Sequence, residues 1–152
     1  MSVRVRVAVM MCVLMVAGCE KKQPMASDLY NDAAKVSGLP YPVLQWKPLT
    51  TMVDRGAGTT ATLFGNDAAV VAARTGQAYP AGAVLGLVTW RQRDDPHWFG
   101  ARIPDAPVQV EFVEIGVGGM KYRAFAGSPM TEQTGTQDRG AVIVAMKAAA
   151  LP

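Results

Sequence analysis

The sequence predicts an α+β fold: a mostly antiparallel sheet of about five strands with flanking helices on one face or end. Two observations carry this. Five separate runs between Leu49 and Ala126 are rich in Thr, Val and other strand-forming residues. The elements follow the order helix, two strands, helix, three strands, helix, and the strands are joined mostly by glycine-rich hairpin turns rather than by helical crossovers.

Taken in order, "SDLYNDAAKVSGLP" (residues 27–40) predicts a helix, with Ser27 as cap, Leu29, Ala33 and Val36 at helical spacing, and Gly38 and Pro40 as its stop. "YPVLQWKP" is a proline-bounded connector. "LTTMVDR" (49–55) and "GTTATLF" (58–64) flank "GAG" and form a first hairpin. "NDAAVVAARTG" (66–76) is a helix capped by Asn66 and stopped by Gly76; with almost no polar face, it is expected to be buried along much of its surface. "AVLGLVTW" (83–90) is apolar at odd and even positions alike, the pattern of a central strand covered on both faces. "DDPHWFGARIP" (94–104) is a loop. "PVQVEFVEI" (107–115) alternates through Val108, Val110 and Phe112. After the turn "GVGG", "MKYRAFA" (120–126) sets Met120, Tyr122 and Ala124 on one face and Lys121 and Arg123 on the other. "GSPMTEQTGTQ" is a polar loop. "DRGAVIVAMKAAALP" (138–152) is a closing helix with Val142, Ala145, Met146 and Ala149 inward.

The N-terminus has its own logic. Arg4 and Arg6 precede an uncharged apolar run from Val7 to Val16. That run is too short for a membrane-spanning helix, which takes ~20 residues, and it has the form of a secretory h-region. It ends in "VAGC", small residues before Cys19, which resembles a bacterial lipobox. The resemblance implies cleavage before Cys19, a diacylglycerol on its sulfur and an acyl chain on its new amine. Residues 1–18 are then signal peptide, 19–26 the lipidated cysteine and tether, and 27–152 a single domain. Glu20 is not aspartate, so the usual inner-membrane retention signal is absent, and an outer-membrane anchor on the periplasmic side is expected. The chain holds 15 basic and 12 acidic residues. Losing Arg4 and Arg6 leaves it near neutral and without a basic cluster, so nucleic acid is not an expected partner. Its two cysteines are Cys12, inside the signal, and Cys19. Disulfides, CxxC redox chemistry, cysteine zinc sites and CxxCH haem attachment are excluded for the mature chain.

In order, "WKPL", "LFGNDAAVVAARTG", "YPAGAVLGLVTWRQ", "WFGARIP" and "VQVEFVEI" resemble the cytochrome P-460 family over roughly Gln45 to Gly127. The resemblance implies a mostly antiparallel β fold with helices, often a homodimer. Well-studied members oxidise hydroxylamine or, as cytochromes c′-β, bind nitric oxide at haem. The chemistry does not carry over. Members attach haem through a C-terminal CxxCH, and the corresponding end here, "QDRGAVIVAMKAAALP", has neither cysteine nor histidine. The hydroxylamine-oxidising type also links a lysine to haem, from the strand that matches "GAVLGLVTW"; Leu87 takes that place. No cofactor is therefore expected, with noncovalent haem as the alternative.

The candidate ligand or pocket residues are His97, Trp98, Trp90 and Arg102. His97, the single histidine, admits three readings. As a haem or metal ligand it stands alone beside Asp94 and Asp95, where zinc takes three or four protein ligands. As a general base it lacks a nucleophile motif. As a loop residue it sits where Pro96 starts a turn, Trp98 and Phe99 plug a sheet edge and Arg102 pairs with a carboxylate. The last reading fits the residues best. Glu111 and Glu114, three apart in a strand, fall on opposite faces and make a poor acid/base pair. Neither glycine cluster matches a phosphate loop. Trp46, Trp90, Trp98 and the methionines could line a cavity, but four of the nine methionines (Met1, Met10, Met11, Met15) belong to the signal. No catalytic or metal site is expected.

Overall fold

The computed structural model describes residues 30–134 and 137–149. The chain divides between Tyr30 and Asn31, and the fold described is that of the part from Asn31 on. Cys19, the tether and the start of the first expected helix lie outside the described residues.

Six strands form one sheet: β1 (Lys47–Asp54), β2 (Thr59–Gly65), β3 (Val84–Asp94), β4 (Arg102–Gly116), β5 (Gly119–Ala126) and β6 (Thr131–Gln133). They lie side by side in chain order, every neighbour antiparallel. Helix α1 (Asp67–Thr75) links β2 to β3, and α2 (Gln137–Val144) follows β6. The expected antiparallel sheet is present with six strands rather than five. The strand missed, β6, is a run of three exposed polar residues with no hydrophobic period. Its partner β5 offers an open edge, and Glu132 clasps Arg123 across the pair through two hydrogen bonds of 2.9 Å.

The middle of β3 is buried on both sides, from Leu85 to Val88. One face joins Leu85 and Leu87 to Leu49, Leu63, Val113, Ala69 and Val70 of α1, and Ile143 of α2. Both helices therefore cover the same face. The other face joins Val88 and Trp90 to Val110, Phe112, Phe125 and Val43. Here the cover is the N-terminal segment, with Val36, Leu39, Tyr41 and Trp46 packed on it. Tyr41, Trp46 and Phe125 each meet the Phe112 ring edge-on or tilted, at centroid distances of 5.3–6.3 Å.

That segment is not the expected helix. Its described residues form only two short 3₁₀ turns, Asp32–Ala34 and Val43–Gln45. Pro40 and Pro42 push the residues before them into extended backbone. Lying extended across a sheet, the chain buries a hydrophobe from each successive stretch, which a short amphipathic helix does not. The close is tight: a Cβ placed on Gly86 would come within 2.6 Å of Val43 Cγ2 and 3.1 Å of Phe112 Cε1.

Asn66 caps α1 as expected. Its Oδ1 accepts from the Ala69 N–H and from the Val84 N–H, both at 3.1 Å, and so ties the helix start to β3. Gly76 ends the helix at φ +65°. The helix is less buried than its composition suggests, since Val71 faces outward. Along β4 the alternation fails at Val108, which is exposed. The β3–β4 register shifts beside Trp90, which pairs with Pro107, and Gln92, which pairs with Pro104. Prolines cannot donate to the ladder, and the irregularity turns Val108 out of phase. The closing helix ends at Val144, and its buried hydrophobic side chain is Ile143, not Val142 or Ala145. From its last residue on, Val144, Met146 and Ala148 pack inward in period two, and the Ala149 N–H reaches the Leu49 carbonyl at 2.8 Å. An extended tail covers the distance from β5 back to β1, which a helix of equal length, rising 1.5 Å per residue, would not.

The contact at Gly86 is testable. Gly86→Ala lowers the unfolding free energy by about 1–3 kcal/mol through overpacking, measured by urea denaturation. Adding Val43→Ala relieves the clash, so the double variant loses less than the two singles together. Strictly additive losses would contradict the close approach.

Candidate functional site

Among the described residues one charged side chain is buried, Glu111, at 1% exposure. It sits on the helix-covered face of β4, beside Leu87 of β3 and Ala124 of β5. Three donors meet its carboxylate. The Tyr122 hydroxyl donates to Oε1 at 2.6 Å. Arg139 donates through Nε to Oε1 at 2.8 Å and through Nη2 to Oε2 at 3.0 Å, a bidentate clasp. Gly140 makes this possible: its absent Cβ would lie 3.3 Å from Tyr122 Cβ, so α2 lies close on β5 and brings Arg139 over the carboxylate.

The electrostatics follow from burial. Desolvation pushes the Tyr122 phenol well above its ordinary value, the hydrogen bond to Glu111 adds to this, and Arg139 opposes it. The hydrogen bond to Glu111 raises the Arg139 guanidinium. A carboxylate clasped by a guanidinium and a phenol has its lone pairs engaged, so it serves as a clamp between α2 and the sheet. Glu114 lies on the opposite face, as its spacing from Glu111 requires, 3.8 Å from Arg123. Burial, reinforced by Glu114, raises the Tyr41 phenol there.

The second place of interest is the end of the sheet where β3 turns into β4. Both strands run further than their sequence pattern suggests, so the expected loop Asp94–Pro104 contracts to residues 95–101. The turn is closed by backbone bonds, Asp95 N–H to the Ala101 carbonyl at 2.9 Å and Ala101 N–H to the Trp98 carbonyl at 3.1 Å. The Asp95 carboxylate accepts from the His97 backbone N–H at 2.8 Å. His97 is exposed, and Trp98 and Phe99 stand free at 72% and 109% of full exposure. They do not plug the sheet edge. Arg102 does pair with a carboxylate, Asp94, at 3.5 Å between exposed groups, a contact worth less than about 1 kcal/mol. Beside the hairpin a cleft of about 500 Å³ is lined by Val53, Arg55, Gln92, Gly100 and Arg102.

Of the four candidate residues, His97, Trp98 and Arg102 thus share one hairpin, while Trp90 does not belong with them. Its ring is 5% exposed within the other-face cluster, and its indole N–H donates to the Ala34 carbonyl at 2.8 Å. It pins the N-terminal segment to the sheet. No three histidine, cysteine, aspartate or glutamate side chains gather to hold a metal among the described residues. The cluster that sequence reasoning missed is Glu111, Tyr122 and Arg139. The one local hint is a glutamate inside "VQVEFVEI", on the same face as Val113; its partners come from distant elements.

Comparison with known proteins bears on this geometry. The family model described as Cytochrome P460 matches residues 41–139, more than half of the chain. The match takes in β1 to β6, α1, the β3–β4 hairpin and all three members of the Glu111 cluster, and it ends at Arg139. No curated protein matches the chain.

Two outcomes test the cluster. Arg139→Ala strands a buried carboxylate and costs about 2–4 kcal/mol, whereas Glu111→Gln frees a half-exposed guanidinium to water and costs less; the reverse order in urea denaturation would contradict the burial asymmetry. The raised Tyr122 phenol contributes stability that is fully present below its ordinary value of 10.0 and is lost as pH rises through the folded-state value. Tyr122→Phe should therefore flatten the alkaline decline of stability, and an unchanged slope would count against the assignment.

Proposed function

The chain belongs to the cytochrome P460 family, and from that premise we propose that it is a lipid-anchored envelope protein that keeps the family's fold without its haem chemistry. It is tethered through Cys19 on the periplasmic side of the outer membrane and acts by binding rather than by catalysis. The observation that carries this reading is the state of the sheet face at Leu87, the position that matches the haem-linking lysine of hydroxylamine-oxidising members. Leu87 is 2% exposed and shares one buried cluster with Leu63, Leu85, Val113 and Ile143. Glu111, its partner across the β3–β4 ladder, is clasped by Arg139.

The residues present do not fit haem held in the family's manner. No cysteine follows Cys19, so no CxxCH exists in the sequence. Among the described residues no buried side-chain nitrogen or oxygen lacks a partner, so no polar group on that face waits for a ligand. His97, the alternative axial group, projects from a hairpin tip whose neighbouring aromatics are exposed; an apolar slot around it would have to come from outside this fold.

The anchor and the missing haem have separate tests. Cells given a labelled fatty acid should acylate the full-length protein and leave Cys19→Ala unlabelled and unprocessed. Protein purified from haem-replete cells should show no Soret band. Labelling that survives in Cys19→Ala overturns the anchor, and a Soret band lost in His97→Ala overturns the haem-free reading.

A further inference from the structure

The end of the sheet that carries Trp98 and Phe99 is also where the chain enters the fold. The Asn31 side-chain amide donates to the Pro104 carbonyl, and its oxygen accepts from Arg93 Nη2 at 3.3 Å. Pro104 and Arg93 lie at the base of the β3–β4 hairpin, where Gln92 pairs with Pro104 and Asp94 with Arg102. Whatever precedes Asn31 is therefore joined to the fold beside this hairpin. From Cys19 to Asn31 a fully extended chain reaches roughly 40 Å at most.

The hairpin tip is built to present its aromatics. Its backbone bonds to itself at two places, and the Asp95 carboxylate braces the His97 N–H. Trp98 and Phe99 are thus held outward on a closed turn. Such exposed, adjacent large rings are rare on soluble surfaces and mark contact sites, and tryptophan favours the bilayer–water interface, where one side is apolar and the other wet. The surrounding acids are engaged locally: Asp94 with Arg102, Asp105 with Arg93 at 3.7 Å, Asp54 with the Ala57 N–H. Arg55 and Arg102 face the cleft beside the tip, with guanidinium groups suited to phosphate.

We propose that the tip of the β3–β4 hairpin, Trp98 with Phe99, seats in the interfacial zone of the phospholipid bilayer to which the chain is tethered, with Arg55 and Arg102 facing the lipid phosphates. The proposal rests on the anchor at Cys19. The tether holds the domain at the membrane; the hairpin is a second contact that fixes its orientation.

The test uses the full-length acylated protein in vesicles of phosphatidylethanolamine and phosphatidylglycerol, with and without a brominated phosphatidylcholine as contact quencher. The Trp98 emission is the difference between wild type and Trp98→Phe, which keeps an aromatic ring at the tip. It should be blue-shifted on the vesicles and largely lost over brominated lipid. An acylated protein whose Trp98 emission is the same over both lipids overturns the hairpin contact and leaves the anchor standing. Absence of acyl label at Cys19 overturns the anchor and the proposal with it. A Trp98→Ser, Phe99→Ser variant that turns a dimer into a monomer in sedimentation, with no quenching in wild type, assigns the tip to a second copy of the chain and likewise overturns it.

Discussion

A strand buried on both faces demands two covers, and the rest of this fold is arranged around supplying them for β3. Leu85 and Leu87 need one layer, Val88 and Trp90 another. The two helices and the tail after α2 provide the first. The N-terminal segment provides the second, drawn close by the missing side chain at Gly86 and pinned by the Trp90 indole to the Ala34 carbonyl. Neither cover is held by a disulfide. Packing and a few well-placed polar clasps do the work, and the Glu111–Arg139 pair is costly to break because that would strand a buried carboxylate.

This arrangement also governs the chemistry. A sheet face can hold a cofactor only where side chains leave room for it. On the helical face the room around Leu87 is taken by Ile143 and its neighbours, and the nearest carboxylate is clasped by the helix that brings Ile143 in. One short helix thus closes the face twice, once with an aliphatic side chain and once with a guanidinium. The exposed end of the β3–β4 hairpin stands apart from this core, and its rings contribute nothing to it.

What the sequence made legible follows from how strongly each element is written locally. The central strand was readable because it is apolar in both phases. Helix α1 was readable because Asn66 and Gly76 mark its ends with their own chemistry. The N-terminal segment misled because Leu29, Ala33 and Val36 have helical spacing, while Pro40, Pro42 and the open sheet face decide the outcome. In the closing segment, the helix takes in the β-branched run and then ends, and the tail continues in period two to reach β1. Strand β6 has no signal of its own, since an open edge and the Arg123–Glu132 clasp create it. Among the candidate residues, the pairing of Arg102 with a carboxylate could be read from proximity in the chain. The exposure of Trp98 and Phe99 could not, because it depends on how far β3 and β4 extend past the bulges. The Glu111 cluster joins residues from β4, β5 and α2, and no local pattern records such a meeting.

The central claim is that the chain's own side chains fill the helical face around Leu87. Methyl NMR under xenon pressure reads this directly, because xenon enters empty apolar cavities and shifts the methyls that line them. The closed face predicts that the methyl signals of Leu85, Leu87 and Ile143 show no saturable xenon shift. Saturable shifts at those three residues would reveal an open chamber beneath α2 and would contradict the account.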